Sequence, residues 1–122
     1  MARPAELIAV AVRNLEREVP ALAPLKLVVR LELRGRGDVQ QFRLELPEVR
    51  VAKDIAADAK IRIEMRRDFF NAMVENGAKV PDWREAFMYG QARASGVDQY
   101  LRLIVNVVDR QEERNRTRKA RR

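Results

Sequence analysis

The sequence predicts an α+β domain, and three observations predict it. Period-two alternation runs through several stretches between residues 26 and 66, and amphipathic helical patterns flank them on both sides. The third is composition: 47% apolar and 35% charged residues suit one buried core inside a charged surface. A chain of 122 residues removes roughly two-thirds of its unfolded surface from water, enough for one core and too little for two.

Pro4 suits the first turn of a helix, because its missing N–H has no partner there in any case. Ile8, Ala11, Leu15 and Val19 follow at helical spacing, with Arg13, Asn14, Glu16 and Arg17 mostly on the other side. Pro20 and Pro24 stop the helix. From Lys26 to Arg34 the period switches: Leu27, Val29, Leu31 and Leu33 alternate with Lys26, Val28, Arg30, Glu32 and Arg34 as in a half-buried strand. Gly35 to Asp38 supplies turn residues, and Phe42, Leu44 and Leu46 alternate with Gln41, Arg43 and Glu45, so the pair reads as a hairpin. Val49 and Val51 suggest a third strand, and Ile61, Ile63 and Met65 a fourth, set against Lys60, Arg62, Glu64 and Arg66.

A sheet with one polar face is antiparallel in character and needs helices on its other face. Asp68 is placed to cap a short helix carrying Phe70, Met73 and Val74 that closes at Asn76-Gly77. Asp82 is placed to cap a second through Trp83, Phe87 and Met88. Gln91 to Ser95 reads as a short final strand, and Gly96 leads into a last helix with the stripe Leu101, Ile104, Val105 and Val108. The one composition break follows Asp109, which divides a body of residues 1–109 from a basic tail of residues 110–122 that extends the last helix.

Cysteine and histidine are both absent. That excludes thiolate and imidazole metal sites, Ser-His-Asp and Cys-His nucleophiles and histidine acid/base catalysis; carboxylate, lysine or tyrosine chemistry stays open in principle, and no metal or cofactor is expected. No apolar run approaches the roughly 18 residues that span a bilayer, and the start lacks the layout of a secretory signal; a cytoplasmic location is the expectation. The net charge of +7 is uneven, because residues 110–122 hold seven basic and two acidic side chains. Such a tail is suited to transient contact with an anionic membrane or, as the alternative, with nucleic acid, although it offers no aromatic platform for bases. The interleaved charges of the strands, Arg30, Arg34, Arg43, Arg62 and Arg66 against Glu32, Glu45 and Glu64, read as cross-strand pairing on a solvated face.

From Ala57 to Ile104 the pieces fall in a recognisable order: an Ala57-Asp58 pair before an alternating strand, a helix, the stretch Ala86-Phe87-x-x-Gly90, a small-residue strand ending in Gly96, and a closing helix. This layout resembles the sterol carrier protein (type two) family, with motif-like density in the second half and agreement in element order in the first. The resemblance implies a mixed, largely antiparallel sheet of about five strands with helices covering one face and an apolar cavity between. It also implies noncatalytic binding or carriage of a lipid-like small molecule of fatty acyl, sterol, phospholipid or isoprenoid type. Phe70, Met73, Trp83, Phe87, Met88, Tyr100, Leu101, Ile104 and Val108 are then the candidate cavity residues, which periodicity alone would assign to an ordinary close-packed core. Two features depart from the family pattern: the Gly77 to Trp83 stretch, in place of a Gly-Lys-rich turn, and the long basic tail without a peroxisomal address.

Overall fold

The computed structural model describes residues 3–120. Helix α1 (Pro4–Glu18) leads through a single 3-10 turn at Pro20–Leu22 into strands β1 (Leu27–Arg34), β2 (Val39–Leu46) and β3 (Arg50–Lys53). Strand β4 (Ile61–Arg66) runs directly into α2 (Arg67–Glu75), followed by α3 (Val80–Met88), β5 (Ala92–Gly96) and α4 (Asp98–Ala120). The five strands form one sheet in the order β3-β2-β1-β4-β5, in which β1 and β4 are parallel and every other pair is antiparallel.

The register places the period-two apolar residues on one face. Val29 lies between Leu44 of β2 and Ile61 of β4, while Leu31 lies between Phe42 and Ile63. Ile8 and Ala11 of α1, Phe70 and Val74 of α2 and Ala86 of α3 close over that face, and all five are buried. Each large apolar side chain so buried contributes roughly 1.5–3 kcal/mol. Gly96 permits the tight β4–β5 junction: its φ is +131°, and a Cβ there would collide with the Lys60 carbonyl oxygen. That carbonyl accepts a hydrogen bond from Val97 N at 2.9 Å.

Both predicted caps sit inside their helices. Because β4 enters α2 with no loop, Arg66 takes the capping position and Asp68 falls in the first turn, its Oδ1 accepting from Phe69 N at 2.8 Å. Helix α3 begins at Val80, so Asp82 is its third residue and reaches back to accept from Lys79 N at 2.8 Å. The acidic side chains still satisfy amides at the positive helix ends, from inside the first turn.

Helix α4 continues without a break to Ala120, and Arg84 of α3 holds it through Asp109 at 2.7 Å and Glu112 at 3.0 Å. Its inward stripe differs from the expected one at Val105, which is 51% exposed. A single-residue step turns the helix by about 100°, which carries Val105 past the edge of the face centred on Ile104; Val107 is half-buried in its place.

Candidate functional site

Between the sheet and the helical layer lies a void of about 200 Å³. Its floor is the inner face of the sheet, including Leu27, Val29, Leu44 and Ile63, and α1 supplies Ile8, Ala11, Val12 and Leu15. Phe70, Trp83, Phe87 and Ile104 close it from α2, α3 and α4. Among the described residues, Glu16 is the only charged one that lines it. Protein interiors normally pack like organic crystals, with few voids larger than a water molecule. An apolar cavity of roughly 150 Å³ in another protein stays dry and admits benzene or xenon. The present one is larger, and its walls offer dispersion contact with almost no polar competition.

Aromatic rings shape one wall. The Phe70 and Trp83 centroids are 6.1 Å apart with the planes tilted by 40°, a separation within the range of favourable aromatic pairs. Phe87 also borders the void although it is 37% exposed, so its ring stands between cavity and solvent.

Four of the nine candidate residues, Phe70, Trp83, Phe87 and Ile104, are brought together around the void. Met73, Tyr100 and Leu101 are half-buried and pack against the core without bordering it. Val108 is half-buried further along α4. Met88 is 71% exposed and points away: it lies two residues beyond the fully buried Ala86, about 200° around the helix, on the opposite side from the core. The α1 and sheet residues complete the site beyond the nine that the sequence pattern singles out. Their signal lies in the helical stripe and the alternation, since the inner face of a half-covered sheet is the floor of any space beneath its helices.

The outer face of the sheet is closed by charge. Glu32 of β1 is only 4% exposed, held by Arg30 at 2.8 Å, Arg62 at 2.7 Å and Gln41 at 3.3 Å. Burial pushes its carboxyl up, but the hydrogen bond from Arg62 and the charges of Arg62 and Arg30 outweigh that, leaving it below the usual carboxylate range. Arg43 on β2 forms a bidentate pair with Asp58, which the hydrogen bonds from Arg43 hold below its ordinary value. The interleaved charges thus pair both across and along the strands. Among the described residues no group of three or more acidic side chains is placed to hold a metal ion. No helix of the described residues is long and apolar enough to cross a membrane.

No family model and no curated protein matches the sequence. Solved structures do. The palmitated sterol carrier protein 2-like 2 of Aedes aegypti superposes with a TM-score of 0.55 at 18% identity, over 80% of this chain and 91% of that one. The chain has the sterol carrier protein 2 fold. Sterol carrier protein domain 2 of Helicoverpa armigera gives 0.54 at 14% identity, over 80% of this chain and 76% of that one. Sterol carrier protein 2 of Yarrowia lipolytica, in its apo form, gives 0.50 at 23% identity, over 63% and 69%. The recognised order of strand, helices, small-residue strand and closing helix is therefore a property of the sterol-carrier fold, reached here with few of the same residues.

Proposed function

We propose that this chain is a noncatalytic lipid-binding module, in which residues 1–109 enclose the apolar part of a lipid-like ligand between sheet and helices. The observation that carries the reading is the apolar void of about 200 Å³ where a close-packed core would have none. Sites for drug-sized ligands span roughly 300–1,000 Å³, so a long acyl chain enters with some parting of the helical layer. Phe87 is the residue placed to move, because it already stands between void and solvent. The palmitated state of the Aedes protein with this fold supports an acyl chain as the first ligand to try.

Displacement of a fluorescent long-chain fatty acid from the full chain tests the proposal. Saturable binding that palmitate competes away is expected. The absence of a saturable signal across several chain lengths and a sterol would sink it.

The basic end of α4 adds a membrane-docking role to this reading. Asp109 and Glu112 are engaged by Arg84, whereas Arg110, Arg114, Arg116 and Arg118 have no carboxylate within 4 Å among the described residues. Unpaired cations near an anionic bilayer contribute about 1 kcal/mol each, enough in number for reversible docking where a lipid carrier loads.

A further inference from the structure

The two edges of the sheet are built differently. At one, β3 is four residues long with a cation at each end, Arg50 and Lys53, and α1 packs against it. Charge of this kind, lysine above all, is how sheets discourage a further strand from pairing. At the other edge, β5 consists of Ala92, Arg93, Ala94, Ser95 and Gly96, a single charge among small side chains. Only Ala92 is buried; the other four residues are exposed. Among the described residues no strand lies beyond β5, and its backbone makes no hydrogen bond outside the ladder with β4. An edge left in this state is a template for one more strand.

Apolar surface gathers around the same edge. Nine large apolar side chains are exposed among the described residues, and six of them, Phe87, Met88, Tyr89, Val97, Leu103 and Val105, belong to the end of α3, the residue after β5 and the start of α4. Both α3 and α4 pack against β5, so the elements that carry these side chains flank the free edge. Exposed apolar residues scattered singly are ordinary, whereas their concentration in one region marks an interaction surface.

We propose that the free edge of β5 pairs with β5 of a second copy of this chain, antiparallel about a two-fold axis at Ala94, so that two sheets join into one. The sequence of β5 selects this occupant and this register. Side chains alternate between faces, so a continuous sheet pairs only residues that point to the same face. A parallel pairing in register, or a two-fold axis at Arg93, would set Arg93 against itself, and like charges directly opposite one another destabilise a strand pair. An axis at Ala94 instead pairs Arg93 with Ser95 of the second copy, Ala92 with Gly96, and Ala94 with Ala94. All five residues then find partners, and no charge faces a like charge. Arg93 already lies beside Glu64 in the register with β4, so the edge carries no unbalanced charge that calls for an acidic strand in place of a second copy. The contact is self-complementary, as a closed two-fold dimer requires. It is independent of the lipid-binding reading, because neither Ala94 nor Ser95 borders the void.

Sedimentation velocity of the full chain over a concentration series, without added lipid, tests the pairing. The wild type should pass from monomer to dimer as concentration rises. Ala94→Lys and Ala94→Glu each place like charges opposite one another at the axis, and each alone should weaken the dimer by about fivefold or more. An equal mixture of the two should associate at least as well as the wild type, because lysine then meets glutamate. Ala94 is exposed, so both variants are expected to keep the melting temperature of the wild-type monomer. Ser95→Asp supplies a second reading on the outer face: the new carboxylate sits opposite Arg62 of its own β4 and Arg93 of the second copy, and it should tighten the dimer. A wild type that stays monomeric at every concentration would overturn the proposal. So would a dimer that neither Ala94 variant weakens, a mixture that associates no better than its components, or a dimer that Ser95→Asp leaves unchanged or loosens.

Discussion

The two faces of the sheet solve opposite problems. The outer face, with no helix over it among the described residues, is sealed by its own charges to the point where Glu32 is nearly inaccessible. The inner face lies under three helices with residues in the core, α1, α2 and α3, and yet retains a void. An apolar space of about 200 Å³ forgoes packing contacts that a close-packed core would make. A small domain with a total stability of roughly 5–15 kcal/mol would gain much by filling it. The comparison teaches that local packing quality is not set by how apolar a region is. The polar face closes on itself through ion pairs, whereas the apolar face leaves the space that the proposed ligand would fill.

Several substitutions would break or sharpen this contrast. Phe42 is 1% exposed and does not border the void, so Phe42→Ala should cost about 3–5 kcal/mol by removing a fully packed ring. Chemical denaturation measures it. Phe87 borders the void and is already partly in water, so Phe87→Ala should cost only about 1–2 kcal/mol while fatty-acid affinity falls sharply. Met88→Ala, one residue on but facing solvent, should move neither by a measurable amount.

Glu32 provides the corresponding probe of the outer face. Replacing it with Gln should cost about 1.5–3 kcal/mol at pH 7, the range for hydrogen bonds to charged groups, and leave fatty-acid binding intact. Its folded carboxyl lies below its unfolded value, so the stabilisation is complete above the unfolded pKa of about 4.3 and disappears as pH falls through the lower folded value. The stability gap between wild type and Glu32→Gln should therefore narrow as pH is lowered in a series of melting curves started at about pH 7.

The smallest effect per residue belongs to α4. Arg114→Gln, Arg116→Gln and Arg118→Gln together should abolish co-sedimentation with anionic liposomes at low salt, at about 1 kcal/mol per residue, without altering fatty-acid affinity. Unchanged sedimentation would remove the docking role, and tight salt-resistant binding to one nucleic-acid sequence would replace it.

Much of the fold was legible because its signals are local. Alternation from Leu27 to Leu33 and from Ile61 to Met65 identifies strands and their inner face, and Gly35 to Asp38 marks the hairpin. What failed depended on information outside the segment. Asp68 and Asp82 were displaced from the caps because the start of a helix depends on how the preceding strand or turn delivers the chain. Met88 was misplaced because periodicity does not say which side of α3 faces the sheet, a choice fixed by Ala86 and Trp83. The burial of Glu32 was hidden because Arg62, its second partner, comes from a strand 30 residues away. The void was legible only through family resemblance, since a cavity is a mismatch between surfaces and no single residue encodes it.

Filling the void tests that central claim most directly. Ala11 on α1 lines it, and leucine has nearly the helix propensity of alanine, so Ala11→Leu adds volume inside the cavity with little other change. The measurement is fatty-acid affinity of Ala11→Leu against wild type, with melting temperature recorded alongside. Weakened binding together with an unchanged or raised melting temperature is the expected result, because the added side chain occupies space that the ligand would take. Unchanged binding together with destabilisation of about 1–3 kcal/mol, the cost of overpacking a filled core, would contradict the account.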